Sequence, residues 1–523
     1  MRLFPWSSRC YLVCLLALGL FAGSGMLAPV PPVPPEPPPV ASEESFAAVD
    51  AFLQEQIDAI GIPGAAVVVV RDGRQVHTAA LGRADDSGRA MTVQTPVLLA
   101  STSKTLTTIA VMQQVEAGTL RLDEPVRTYL PWFTLKDSRS AEITVRHLLH
   151  QTSGMASTDT AFEASTAQGP GAIEDSVRAL SDSALAGTPG ESFRYASANF
   201  NILGLLVQTV VGQPFGDYME ERVFGPLAMT HSHTTRSAAE ADNMAAGHSL
   251  WFGSFWRQTD VPAPAAGVPS STMYASAEDL GRELIALLDG GRFADGRVLR
   301  PASVDALLQR QTRVDDSTGY AMGWYTLSLP GSVGQSNREL PMVEHQGEWG
   351  NSHTYVAMVP SSGIGLALVI NGNDTSAPSR LRAIDANVLR ILHGIPPEPA
   401  VLEEDWLQRY SWAVALALLL AELLSLFLAL AVLRRRPGGA GSRWLPLAGS
   451  VAALALDAFV LWLCFIYAPA RFDTKLPVIV YQFPDVGITL VPALALALTW
   501  PLARTVWLLS EVRAKPVSRS AAP

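Results

Sequence analysis

Thiols are nearly absent from this chain: Cys10, Cys14 and Cys464 are the three in 523 residues, and all lie in strongly apolar segments. The long middle of the sequence has none, which excludes a disulfide framework and a thiol nucleophile there. Lysine is almost as scarce. Only Lys104, Lys136, Lys475 and Lys515 occur, so arginine supplies most of the 38 basic residues. The formal net charge of -10 and the lack of a basic stripe argue against a nucleic-acid partner. No Gly-x-Ser-x-Gly elbow, Gly-rich phosphate loop or His-Glu-x-x-His is present, which lowers the α/β-hydrolase, nucleotide-binding and zinc-protease readings. His231-Ser232-His233 has the spacing of a metal pair but no cysteine or acidic cluster beside it in sequence. No metal or organic cofactor is implied.

The scarcity of lysine makes Lys104 conspicuous, because it follows Ser101 by three positions in Ser101-Thr102-Ser103-Lys104. Residues i and i+3 share a helix face, so the hydroxyl and the amine can meet. Arginine cannot give up its proton at ordinary pH and lysine can. Leu98-Leu99-Ala100 leads in, and Leu106, Ile109, Ala110, Met112 and Val115 continue at helical spacing, which places Lys104 at the start of a largely buried helix. Burial lowers an amine's pKa toward the range a general base needs.

Composition divides the chain. Residues 1–28 read as a signal peptide or N-terminal anchor, with an apolar run at 11–22 behind Arg2 and Arg9, and 29–42 as a proline-rich linker. A folded domain is expected over 43–395 and a linker over 396–410. Phe46, Val49, Phe52, Leu53, Ile57 and Ile60 give an opening helix, Val67–Val70 and Val76–Leu81 a hairpin around Asp72-Gly73, and Thr354–Val359 with Ile364–Ile370 a second hairpin. Residues 379–393 form a closing helix. Strands at both ends with helices between them predict an α/β fold of the α+β type: one antiparallel sheet built from both termini, flanked by helices, with a helical region inserted.

Three apolar segments within 411–510, namely Ser411–Leu433, Trp444–Ala468 and about Val486–Leu509, are each long enough for a bilayer, which takes about 20 helical residues. Arg434, Arg435, Arg436 and Arg443 fill the first short loop, and Arg513, Lys515 and Arg519 follow the last span, so the positive-inside rule makes that loop and the 511–523 tail cytoplasmic. The domain before residue 411 then lies outside the cell membrane, as the signal peptide requires. Glu422 and Asp457 stand mid-span at similar depth, where they share a proton or a packing hydrogen bond, or are protonated singly within a bundle.

The run Leu98–Thr107, followed by Gln114–Val126, resembles the active-site helix of the serine β-lactamase and penicillin-binding-protein superfamily, and most resembles the branch of class C β-lactamases, D,D-carboxypeptidases and related esterases. His147–Gly154, Phe193–Gly204 and His345-Gln346-Gly347 are similar to three further signatures of that branch, in the same order. The resemblance covers about residues 43–395. It implies a β-lactamase/transpeptidase-like fold with Ser101 as the acylated nucleophile, Lys104 as its proton partner and Tyr195 as a proton shuttle whose pKa a nearby ammonium would have to lower. His345 is implied as the cationic or hydrogen-bonding residue that faces the substrate. Gly347 and Glu348 border the substrate, the Glu348 and Ser101 amides forming an oxyanion hole. Ser197 stands where the family has the asparagine of Tyr-x-Asn; the register Ser197-x-Asn199 is the alternative.

The function so implied is a membrane-tethered serine hydrolase acting on a small-molecule or peptide substrate, cell-wall peptide included. Peptide, β-lactam, ester and D-amino-acid amide all remain open. A non-hydrolytic cell-wall peptide or β-lactam sensor and a transporter accessory protein are the other readings. The arginine asymmetry makes a topological prediction: a reporter fused after Leu433 is active in the cytoplasm and one fused near Glu404 only outside. The opposite pattern overturns the orientation.

Overall fold

The computed structural model describes residues 41–157, 162–163, 165–329, 339–434, 444–472 and 475–513. The expected signal peptide, nearly all of the proline-rich linker, the arginines of the first loop beyond Arg434 and the C-terminal ten residues lie outside the described residues. Helix α1 (Glu43–Ile60) begins at a capping box made by Ser42 and Ser45 and ends at Gly61, whose φ of 68° is left-handed. Strands β1 (Gly64–Arg71) and β2 (Arg74–Gly82) follow, turned by Asp72 and Gly73 at φ of 52° and 72°. Two successive positive φ values suit the right-handed twist of a hairpin, which is why Asp-Gly sits there.

Helix α2 (Ser103–Ala117) is preceded by a short turn over Ala100–Thr102, and helix α3 (Ser197–Val211) packs against it. Helix α4 (Ala277–Leu288) then lies on the sheet. The remaining strands are β3 (Thr312–Arg313), β4 (Gly319–Tyr320), β5 (Tyr325–Leu329), β6 (Leu340–Trp349), β7 (Ser352–Val359) and β8 (Ile364–Ile370). Helix α5 (Ser379–Leu392) closes the domain. Shorter strands of the helical region pair in small sheets of their own, and these eight strands form one sheet in the order β3-β4-β5-β6-β7-β8-β1-β2. Every neighbour is antiparallel, and β1 joins the C-terminal hairpin through Ala65↔Ile370 to Arg71↔Ile364. The sheet is thus built from both ends of the domain.

Alternation along β1 sorts the core into two layers. Val67 and Val69 face α1 and α5, meeting Phe46, Val49, Leu53, Leu381, Ile384 and Val388. Val68 and Val70 face the helical side, meeting Leu284 and Ala286 of α4 in a core that extends to Leu106, Ile109 and Phe200. A strand buried on both faces reads as the continuous apolar run seen at 67–70. The helical region between β2 and β3 covers only one face of the sheet.

The longer helices of the tail among the described residues are α6 (Ser411–Arg434), α7 (Trp444–Trp462), which runs on through Leu463–Tyr467 into Ala468–Arg471, α8 (Leu476–Gln482) and α9 (Pro484–Arg513). Among the described residues Val451–Arg471 and Pro484–Pro501 are long and apolar enough to cross a bilayer, with mean hydropathy 2.2 and 1.2, whereas the apolar stretch Ser411–Phe427 is shorter. Glu422 and Asp457 are both buried within this bundle. The tail and the domain belong to one compact unit, Pro38–Pro523.

One close approach fixes the start of α2 on the sheet. At Gly347 in β6 an added Cβ would lie 2.0 Å from the Leu99 carbonyl oxygen, 2.3 Å from Thr354 Oγ1 and 2.9 Å from Thr102 Oγ1. Two of these atoms belong to the turn that carries Ser101, so nothing larger than glycine fits. Gly347→Ala is expected to destabilise the protein by about 2–4 kcal/mol through overpacking. Chemical denaturation monitored by tryptophan fluorescence checks this, and an unchanged midpoint would contradict the packing.

Candidate active site

Ser101 lies in the 3-10 turn Ala100–Thr102, and the residue before it is bent out of the ordinary regions: Ala100 has φ of 49°. A left-handed alanine costs about 1–2 kcal/mol, and such strain persists only where the surroundings over-determine it. Here Leu99 N donates to Met273 O at 2.9 Å, and Thr354 Oγ1 donates to Leu99 O at 2.6 Å. The turn is therefore clamped between Met273, which leads into the short strand Tyr274–Ala275, and β7.

One helical step later, Lys104 is wholly buried, and its Nζ lies 3.2 Å from Ser101 Oγ, 3.4 Å from Ser197 Oγ and 2.8 Å from the Ser270 carbonyl oxygen. Its Nζ also stands 5.0 Å from the centroid of the Tyr195 ring. Burial lowers its pKa to about 7, against a smaller upward pull from Glu163. Glu163 in turn is raised to about 7 by burial, with Lys104 opposing. The two groups thus face each other electrostatically across the site.

Tyr195 and Ser197 both arrive at Lys104, whereas Asn199 turns away. Its side chain accepts from Ser153 Oγ at 2.6 Å and donates to Gln151 Oε1 at 2.5 Å. Gln151 also accepts from Ala196 N at 3.0 Å, and its own carbonyl accepts from Arg194 N at 2.7 Å. The segment His147–Gly154 is thus the mount for the Tyr195 loop. Gln151 adopts a φ of 57° to reach it.

Ser101 and Tyr195 share a hydrogen bond that favours the phenolate, but burial outweighs it and holds the Tyr195 phenol well above its ordinary range. The lowering that a phenolate shuttle would need is thus not there. Next to it, His345 of β6 is 1% exposed and ringed by aromatic side chains: Tyr195, Tyr320 and Tyr325 lie 6.5, 6.4 and 5.6 Å away between ring centroids. Burial and the Lys104 charge push its pKa down to about 3, so the imidazole is neutral, not cationic. Nδ1 lies 2.8 Å from the Gln346 carbonyl and must donate to it. That tautomer leaves Nε2 as a buried lone pair without a protein partner among the described residues.

Strand β5 pairs with β6 only from Leu329↔Leu340 to Tyr325↔Glu344, so the β5-side edge of 345–349 is unpaired with that strand. Gly347 and Glu348 lie on this stretch. The Glu348 carboxylate is bound to Arg382 of α5 at 2.7 and 3.1 Å, which leaves its backbone as the part offered to a ligand. His231 and His233 both bond Asp242, at 3.0 and 2.8 Å, and no group of three metal-ligating side chains converges among the described residues. A cavity of about 630 Å³ walled by Asp85, Arg89, Arg236 and Tyr274 reaches Leu98 and Ser352 but does not include Ser101.

Sequence reasoning missed three participants. The Ser270 carbonyl and Glu163 come from loops without periodicity or motif, and only tertiary structure brings them to Lys104. Gln151 lay inside a recognised signature but carried no sign of its bracing role.

Residues 49–389 match the Beta-lactamase family. Penicillin-binding protein 4 of Amycolatopsis lactamdurans is 32% identical over 336 residues, covering 62% of this chain and 85% of that protein. Protein flp of Staphylococcus aureus is 25% identical over 356 residues, covering 65% of this chain and 66% of that protein, just under two thirds of its length. Among solved structures, the octameric penicillin-binding protein homologue from Pyrococcus abyssi shares the fold with a TM-score of 0.58 at 23% identity, over 68% of this chain and 78% of that one. With a matching region that exceeds half its length and the fold to go with it, this chain belongs to the Beta-lactamase family.

Proposed function

We propose that the chain is a membrane-tethered serine hydrolase that forms an acyl-enzyme on Ser101 with an extracytoplasmic ester, amide, D-amino-acid peptide or β-lactam. The observation that carries this reading is the buried Lys104 amine, 3.2 Å from Ser101 Oγ and with a pKa near 7. At that pH half of the amine is neutral, and above it most of it is. Two of its hydrogens serve the Ser270 carbonyl and Ser197 Oγ, and its lone pair takes the Ser101 proton as Oγ attacks the substrate carbonyl. The backbone amides of Ser101 and Glu348 receive the oxyanion. The new ammonium, beside the protonated Tyr195, returns the proton to the departing oxygen or nitrogen. Water then repeats the sequence on the acyl-enzyme, with Lys104 again as base.

Neutral His345 offers the substrate a lone pair instead of a charge, which suits a donor group on the acyl or leaving side. The domain 43–395, the 396–410 linker and the tail of three spans are part of the same proposal, with the catalytic domain outside the cell. Contacts of the 469–485 loop with the domain and its linker support that arrangement: Asp485 accepts from Phe252 N of the domain at 3.1 Å, and Arg471 binds Asp405 of the linker at 2.6 Å. A loop after two spans stands on the same side as the domain before them.

Ser101→Ala is expected to abolish covalent labelling by a β-lactam or phosphonate probe. Lys104→Arg keeps the charge but cannot accept the proton, so a loss of about 10²–10⁴ in labelling rate is expected. An adduct that maps to Ser153 or Ser197 would overturn the assignment, and a folded protein that reacts with no probe or ester would favour the binding module.

Ser197 supplies one short hydroxyl where an asparagine would supply a carbonyl for Lys104 and a second donor for a substrate amide. Ser197→Asn is therefore expected to improve kcat/KM on amides and β-lactams over simple esters by about 0.5–1.5 kcal/mol, the net worth of one hydrogen bond. Equal effects on both classes would mean that position 197 does not face the amide.

A further inference from the structure

The loop between the second and third apolar helices does more than turn the chain. Its helix α8 carries Tyr481 against a cluster of Ala100, Phe162 and Trp349, so a tail residue packs beside the residue that precedes the nucleophile. The Tyr481 hydroxyl donates to the Glu163 carbonyl at 2.6 Å. Next to it, Gln482 Oε1 accepts from Gly350 N at 2.8 Å, one residue beyond the end of β6. The fit there is tight: a Cβ on Gly350 would lie 2.5 Å from the Gln482 carbonyl oxygen. Asp485 and Arg471 pin the two flanks of the loop through Phe252 N at 3.1 Å and Asp405 at 2.6 Å.

We propose that Tyr481 and Gln482 are positioning residues of the catalytic site, through which the membrane tail holds the Glu163 segment and the end of β6 against Ser101 and Lys104. The inference rests on the acyl-enzyme reading. Groups facing Lys104 are Ser101 of its own helix, Tyr195 and Ser197 from the α3 entry, Ser270 by its carbonyl, His345 from β6 and Glu163 from its loop. Of these, Glu163 is the acidic one among the described residues, and its carboxylate favours the ammonium. Tyr481 touches neither Lys104 nor the reacting atoms. It acts by keeping Glu163 where that charge is felt.

The sign follows. Releasing the Glu163 segment removes the part-ionised carboxylate that favours protonated Lys104 near pH 7, so the base becomes available at lower pH. In the full chain, held in lipid nanodiscs, Tyr481→Phe and Tyr481→Ala are expected to move the acidic limb of kcat/KM for an ester reporter downward, Tyr481→Ala the further of the two. Glu163→Gln is expected to move it the same way, and Tyr481→Ala combined with Glu163→Gln to move it no further. A structural role alone would lower activity at all pH values and leave the limb in place, and that result overturns the proposal. Photo-crosslinking from a benzophenone side chain at position 481 reads the docking without catalysis: an adduct on the peptide holding Phe162 and Glu163 is expected, and its absence also overturns the proposal. Retained activity in Ser101→Ala would instead sink the acyl-enzyme reading, while the crosslink still reports on the docking.

Discussion

The Lys104 amine is wholly out of water, and the rest of the site is arranged around that burial. A charged ammonium placed there loses several kcal/mol of hydration that a few neutral oxygens do not restore, so the amine gives up its proton near neutrality. Its three neighbours, Ser101 Oγ, Ser197 Oγ and the Ser270 carbonyl, can all be satisfied by a neutral amine with two hydrogens and a lone pair. Burial acts on the surrounding groups in the same sense. His345 is stripped of its charge and Tyr195 keeps its proton. Among the described residues Glu163 is the carboxylate that opposes this effect at Lys104.

The scaffold explains why the burial holds. Gly347 lets the Ser101 turn press on β6, Thr354 grips the turn from β7, and Gln151 and Asn199 brace the Tyr195 loop from beneath. Each brace joins segments far apart in sequence.

Much of this was legible in the chain. The Asp72-Gly73 and Pro360–Gly363 turns, with apolar runs on both sides, marked the two hairpins that meet as β1 and β8. The helix register of Ser101 and Lys104 marked a pair that the fold brings within 3.2 Å, and the family signatures pointed to Tyr195, Ser197 and His345, which gather around it. What stayed hidden depended on long-range burial. Nothing in the His345 motif says that its imidazole would be too deeply packed to ionise, nor does Tyr195 announce that desolvation would outweigh its neighbours. Glu163 and Tyr481 are single residues in unpatterned loops, and they meet only because the tail folds back onto the domain.

If a neutral lysine near pH 7 activates Ser101, the pH dependence of single-turnover acylation reports it. With a stopped-flow ester or β-lactam reporter, the acylation rate should rise through one ionisation near pH 7, as Lys104 loses its proton, and then level off. A rate that keeps climbing to an inflection near the ordinary lysine value of about 10.4, or one that is flat across pH 5–9, would contradict the account.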